Sequence, residues 1–128
     1  MKPKNPVVWF EIYVNDIKRA RKFYETVFNY EFSELGNPAD ESFQMLAFPS
    51  DPETKNMAAG ALVYHKDTSA GANSTIVYFH SKDCSVEEAR VENAGGEVFR
   101  PKMSIGQYGF ISLVKDTEGN MIGIHSME

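Results

Sequence analysis

A carboxylate, two imidazoles and three aromatic rings occupy strand-like segments of the 128-residue chain. These six side chains are Trp9, Glu11, Tyr13, Tyr78, His80 and His125. Because side chains alternate across a strand, the first three share one face, and Tyr78 shares a face with His80. Two imidazoles and a carboxylate are a familiar open ligand set for a catalytic metal, whereas without metal they can serve in hydrogen bonding or acid–base chemistry. A purely structural alternative pairs Glu11 with His125, or each with backbone.

Composition and charge exclude several functional classes. Thirteen basic and 18 acidic residues give a net charge of −5, and the densest basic stretch, 18–22, indicates the polar face of a helix. We therefore expect no nucleic-acid partner, since phosphates demand clustered Lys and Arg. No apolar run approaches the ~20 residues that span a bilayer, and a single cysteine, Cys84, cannot form an internal disulfide. We expect a cytoplasmic protein that does not bind a membrane.

The first half of the chain has the pattern strand, helix, strand, strand, strand. Val8–Val14 is rich in β-branched and aromatic residues, and Asp16 is placed to cap the helix that follows. Apolar residues at helical spacing predict the buried face of this helix: Ile17, Ala20, Phe23, Tyr24, Val27 and Phe28. The three later strands are predicted at Tyr30–Leu35, Phe43–Phe48 and Ala59–His65.

The second half repeats this order. A strand at Thr75–His80 precedes a helix in which Ser85 and Glu88 have capping-box spacing, and Gly95-Gly96 ends that helix. Asp83 holds the place before this helix that Asp16 holds before the first. The apolar stripe of the helix is predicted to be Val86, Ala89, Val91 and Ala94. The three later strands are predicted at Glu97–Arg100, Tyr108–Lys115 and Asn120–His125, with a tight turn at Asp116–Gly119. The expected domain therefore has module 1 at about residues 7–65, a linker at 66–74 and module 2 at about 75–126, and each half of ~60 residues is too small to be stable alone.

Short phrases in both halves resemble the vicinal-oxygen-chelate superfamily of glyoxalases, bleomycin-resistance proteins and ring-cleaving dioxygenases. The phrases are Val14–Ile17, Phe23–Phe28, Glu92–Val98, Tyr108–Phe110 and Asp116–His125. The resemblance implies an α+β fold in which two βαβββ modules form a cupped mixed sheet with the helices on its outer face. It also implies a homodimer, which would cover the edges of a small sheet.

The family hallmark is a divalent metal held in the cup by His and Glu side chains. Counting from the matched phrases, the resemblance places the four ligand positions at Trp9, Ala61, Ile76 and Gly123. None of these residues can bind a metal ion, so we expect the usual metal site to be absent.

These observations leave three functional hypotheses. The leading one is a small-molecule-binding protein without metal, in which the six side chains of the first paragraph line the pocket. The second is a metal-dependent lyase, isomerase or dioxygenase that uses a displaced set of Glu11, His80 and His125. The third is a structural or interaction protein whose cup is filled by its own side chains. The sequence leaves catalysis, the substrate and the reaction open.

Overall fold

A computed structural model describes residues 5–51, 53 and 57–128 of the chain. The first module contains β1 (Trp9–Tyr13), α1 (Ile17–Phe28), β2 (Ser33–Leu35), β3 (Phe43–Ala47) and β4 (Ala59–His65). The second contains β5 (Val77–His80), α2 (Cys84–Val91), β6 (Glu97–Ser104), β7 (Phe110–Lys115) and β8 (Met121–Ser126). A 3₁₀ turn at Gly106–Tyr108 separates β6 from β7.

Each module forms its own four-stranded sheet. The strand orders are β1-β4-β3-β2 and β5-β8-β7-β6, with the first pair of each sheet parallel and the others antiparallel. The two sheets lie beside each other, because the rings of Phe10 on β1 and Phe79 on β5 are 6.1 Å apart. We call this boundary between β1 and β5 the seam. The predicted α+β architecture of two βαβββ modules is confirmed.

Helix α1 forms as its capping signals and apolar spacing predict. Asp16 is the N-cap and accepts a hydrogen bond from the backbone N–H of Arg19 at 3.1 Å, while Asn29 ends the helix in the left-handed region. The predicted apolar face is buried except for Ile17, which is half-buried. Phe79 of the second module packs against Tyr24 of this face, so the modules share one aromatic core.

Helix α2 differs from the prediction in its cap and in its buried face. Asp83, not Ser85, is the N-cap, because its carboxylate accepts both the backbone N–H and the hydroxyl of Ser85 and leaves that serine inside the first turn. The predicted stripe is also wrong at Val86, which is 52% exposed, and at Ala89, which is exposed as well. The fully buried residues of this helix are Cys84 and Val91, which lie two turns apart on one side.

Strand β6 continues beyond its predicted end at Arg100 as far as Ser104. It passes through Pro101 because β6 is an edge strand, and its pairing with β7 shifts register on either side of Arg100. Tyr108, predicted to begin the next strand, belongs instead to the 3₁₀ turn.

The turn between β7 and β8 joins the two modules. Glu118, whose side chain is fully buried, accepts two hydrogen bonds from the Arg19 guanidinium at 2.7 and 2.8 Å and one each from the backbone N–H groups of Asn15 and Asp16. The Tyr24 hydroxyl donates to Asp116 at 2.8 Å.

Asn120 completes this contact by donating from its side-chain amide to the carbonyl oxygen of Tyr13 at 2.9 Å. We call Arg19, Tyr24, Asp116, Glu118 and Asn120 the inter-module junction. Among the residues that the structure describes, no helix is long and apolar enough to cross a membrane.

Candidate functional site

One face of each sheet packs on the helices, and the other is open. Along β1, Phe10 and Ile12 pack in or against the core, so Trp9, Glu11 and Tyr13 point to the opposite side. The strand register puts Ala59, Ala61 and Val63 of β4 beside those three residues. In the second module, Tyr78 and His80 are exposed and pair with Gly123 and His125. We call this side the open face; all six predicted site residues lie on it.

Glu11 is held between its two aromatic neighbours on β1. Its carboxylate accepts a hydrogen bond from the Trp9 indole Nε1 at 3.2 Å and another from the Tyr13 hydroxyl at 3.1 Å. Burial raises the pKa of Tyr13, and the bond to Glu11 and the charge of Glu11 raise it further, so the phenol remains a neutral donor. The carboxylate is thus positioned by two neutral donors.

Tyr78 covers the glycine at the centre of the second module. A Cβ at Gly123 would collide with the Tyr78 ring, so the ring lies directly against the glycine backbone. The other side of the ring faces outward, since Tyr78 is 47% exposed. Because Gly123 has no side chain, the Tyr78 ring lies flat against the sheet on the open face.

The two histidines lie together but apart from Glu11. His80 and His125 are direct partners on the parallel strands β5 and β8. His125 Nε2 lies 2.7 Å from the carbonyl oxygen of Tyr108 and donates to it, as the backbone alternative in the sequence analysis expected. The other alternative, a Glu11–His125 pair, is not what forms, because Glu11 bonds to Trp9 and Tyr13.

Side chains on the open face that can bind a metal ion include Glu11, His80 and His125. The four positions that the resemblance gives for the family's ligands, Trp9, Ala61, Ile76 and Gly123, carry no metal-binding atom in their side chains. In the described part of the chain, no three His, Cys, Asp or Glu side chains form a group that could hold a metal ion, the set of Glu11, His80 and His125 included.

Two clefts flank the seam. The first, which we call the Glu11 cleft, has a volume of about 220 Å³. Its lining combines Glu11 and Tyr13 with linker and strand residues, namely Ile12, Ser69, Ala70, Gly71, Asn73, Thr75, Val77, Asn120, Met121 and Ile122. The second, of about 190 Å³, lies at the other end of the seam and is bordered by Tyr78 and His80.

The linker wall of the Glu11 cleft is the part of the site that sequence reasoning missed. Asn73 fixes this wall by accepting from the backbone N–H of Met121 at 3.0 Å and donating to the Met121 carbonyl oxygen at 3.1 Å. Gly71 donates its N–H to the Asn120 side chain with a φ of +90°, a conformation suited to glycine. In the sequence, an Asn two residues after a Gly in a small polar segment gives little indication of a cleft wall, although both residues are typical of ordered turns.

Comparisons with known proteins agree with this geometry. Residues 7–46 match the family model described as bleomycin resistance protein-like N-terminal. No curated protein sequence matches the chain.

Among solved structures, a glyoxalase I mutant from Zea mays superposes with a TM-score of 0.75 at 21% identity over 95% of this chain. The chain spans 46% of the length of that maize protein. A glyoxylase/bleomycin resistance protein/dioxygenase domain from Frankia sp. EAN1pec superposes with a TM-score of 0.70 at 14% identity, covering 97% of this chain and 98% of that one. A family enzyme from Burkholderia phytofirmans PsJN gives a TM-score of 0.67 at 14% identity, covering 94% and 97%. The chain has the fold of the vicinal-oxygen-chelate superfamily, as its sequence phrases predicted.

Proposed function

We propose that this chain, which has the vicinal-oxygen-chelate fold, binds a small organic molecule on its open face without a metal ion. The observation that carries the proposal is the Glu11 carboxylate, which is positioned by hydrogen bonds from Trp9 and Tyr13 and lines, together with Tyr13, a cleft of about 220 Å³. Apolar walls with a few convergent polar groups are the usual composition of a ligand pocket.

Aromatic rings border both clefts and supply stacking surfaces, Tyr13 at the Glu11 cleft and Tyr78 at the second cleft. Trp9 is 42% exposed and Tyr78 is 47% exposed, although large aromatic side chains bury most of their area when they serve only as core. The cleft volume lies below the ~300 Å³ that drug-sized ligands need, so the proposed ligand has one or two rings.

Exposure of the same rings also favours the interaction hypothesis as a second candidate. Tyr78 already covers Gly123, and Phe43, 41% exposed, adds an aromatic side chain that the register puts on the same face. Under this candidate, the open face is a protein-binding surface, including the interface of the expected homodimer. Sedimentation of the parent and of Tyr78→Asp at several concentrations distinguishes the two: dissociation of a dimer by the substitution favours the interface, and an unchanged state favours the ligand site.

The test of the proposed function is a titration of two-ring aromatic compounds followed by calorimetry. The probe set is 2-naphthylmethanol, 2-naphthylmethylammonium and 2-naphthoate. We expect at least one to bind and to raise the melting temperature of the protein. Tyr13→Ala, which removes an aromatic ring from the lining of the Glu11 cleft, should weaken that binding by about tenfold, the ~1.4 kcal/mol of one aromatic contact. Val86→Ala, which removes an exposed apolar side chain on α2, is the control. Absence of binding by all three compounds contradicts the proposal.

A further inference from the structure

We propose that the ligand of the open face is an organic cation, a protonated or quaternary amine attached to a flat ring, whose positive charge meets Glu11. This inference rests on the function proposed above and adds the chemical class of the ligand. It follows from the partners of Glu11 and from the charges along the cleft.

Glu11 is a carboxylate whose charge has no counterion in the described chain. The ion pairs there join Arg19 to Glu118, Arg21 to Glu25, Arg90 to Glu87 and Lys102 to Asp83, and none of them involves Glu11. Within the described residues, the donors at its oxygens are neutral, one to each oxygen. A carboxylate offers roughly four lone-pair positions, so each oxygen can accept one further hydrogen bond. A cationic N–H donor would supply both that bond and the missing charge.

The donors already at Glu11 leave room for a cation. Trp9 and Tyr13 direct polar edges at the carboxylate, the indole N–H and the phenol O–H, and both of these donors are neutral. A charged donor forms a shorter and stronger hydrogen bond to a carboxylate than a neutral donor does. A further donor at Glu11 therefore binds most strongly when it is a cation.

The lining of the Glu11 cleft opposes an anion. Among its 12 lining residues, Glu11 is the only one with an ionisable acidic or basic group that is charged at neutral pH. The apolar side chains of Val77, Met121 and Ile122 suit the ring system of the ligand rather than its charge. The net charge of −5 favours the approach of cations over that of anions.

The naphthyl series tests the ligand class, since its three members differ mainly in charge. We expect 2-naphthylmethylammonium to bind the parent at least tenfold more tightly than 2-naphthylmethanol, and 2-naphthoate to bind most weakly. In Glu11→Gln, the tenfold preference should fall to about twofold, while the affinity for the alcohol stays within twofold of the parent value. The matched control is Glu34→Gln, because Glu34 is an exposed strand carboxylate that the register directs away from the open face.

The possible results distinguish a wrong assignment of the ligand charge from a wrong assignment of small-molecule binding. Equal affinity for the ammonium and the alcohol would overturn the cation assignment and leave small-molecule binding intact. A preference for the ammonium that survives in Glu11→Gln would overturn the role of Glu11. Failure of all three compounds to bind would overturn the proposed function and this inference together. The melting temperature of Glu11→Gln, expected to equal that of the parent, shows that its fold is retained.

Discussion

The inter-module junction and the open face use carboxylates in opposite ways. At the junction, Glu118 is fully buried and accepts hydrogen bonds from residues about one hundred positions away in sequence. On the open face, Glu11 is exposed, and its hydrogen bonds to described residues come from Trp9 and Tyr13, two positions away on the same strand. The hydrogen bonds of Glu118 connect the two modules, whereas those of Glu11 stay within one strand.

This difference indicates where the molecule gains stability and where it retains surface for another molecule. The charge of Glu118 is satisfied by Arg19 and by backbone N–H groups, so the junction has little left to offer a ligand. Glu11 and the rings of Trp9 and Tyr78 contribute little to the core and remain accessible. Substitutions at the two regions should therefore affect different measurements.

The largest expected effect is that of Glu118→Ala on stability. Removal of this carboxylate leaves two backbone N–H groups without their acceptor and Arg19 without its partner. We expect a loss of about 3 kcal/mol, less than the upper range for buried pairs because Arg19 is half-exposed. Thermal unfolding should show a decrease of roughly 10 °C. Glu11→Ala is the matched variant on the open face and should change the melting temperature much less. A decrease in melting temperature as large as that of Glu118→Ala would contradict the difference between the two carboxylates.

Two glycines show the same difference between the core and the open face, because an added Cβ meets fixed atoms at Gly96 and a movable side chain at Gly123. A Cβ at Gly96 would collide with the backbone oxygen of Lys115 and the buried ring of Phe23, neither of which can move aside. Gly96→Ala should cost about 2 kcal/mol. At Gly123, the obstructing group is the exposed Tyr78 ring, which can swing outward, so Gly123→Ala should cost less than about 1 kcal/mol.

Chemical denaturation of both alanine variants measures these costs. Both substitutions should leave the affinity for the naphthyl compounds unchanged, because neither glycine lines the Glu11 cleft. Equal destabilisation by the two substitutions would mean that Tyr78 is held as firmly as the core.

The pH dependence of the free energy of unfolding should also reflect the junction, through Glu118, more than the open face. Burial by itself raises the pKa of Glu118, but the hydrogen bonds from Arg19, Thr117 and two backbone N–H groups outweigh it and lower the pKa to about 2. Because this pKa lies below the unfolded value of about 4.3, the charged Glu118 stabilises the fold above that pH, and the contribution is lost as the pH falls towards about 2.

Denaturation of the parent and of Glu118→Gln across this window isolates the contribution. The stability advantage of the parent should shrink by about 1 kcal/mol for each pH unit below the unfolded pKa. Subtraction of the two profiles removes the opposing effect of Asp116, whose pKa is raised by burial. A constant difference between the two proteins would contradict the low pKa of Glu118.

Local patterns in the sequence predicted most of the architecture. The Asp16 cap and the buried face of α1 depend on residues within a few positions of one another, and strand alternation placed Trp9, Glu11 and Tyr13 on one face. The N-cap of α2 was predicted at Ser85 because Asp83 and Ser85 both have side chains that can cap a helix. The hydrogen bond from the Ser85 hydroxyl to the Asp83 carboxylate shows that Asp83 is the residue outside the helix. The end of β6 was misplaced because Pro101 is excluded from central strands, and nothing local marks an edge strand.

The site could be predicted only in part. Its residue set follows from strand alternation and from the family resemblance, but the partners of its residues do not. Neither the Tyr108 carbonyl at His125 nor the linker wall at Glu11 is encoded in any short pattern. Both depend on how the modules and loops pack in three dimensions.

The most direct test of ligand binding on the open face uses the only tryptophan in the chain. Trp9 gives one indole N–H signal in a ¹H–¹⁵N correlation spectrum, and that N–H donates to Glu11 at the mouth of the cleft. On titration with 2-naphthylmethylammonium, we predict that this signal moves in a saturable way and that the backbone signals of Arg19 and Glu118 stay in place. An indole signal that remains unchanged while the compound binds, or that moves only together with the signals of Arg19 and Glu118, would contradict binding on the open face.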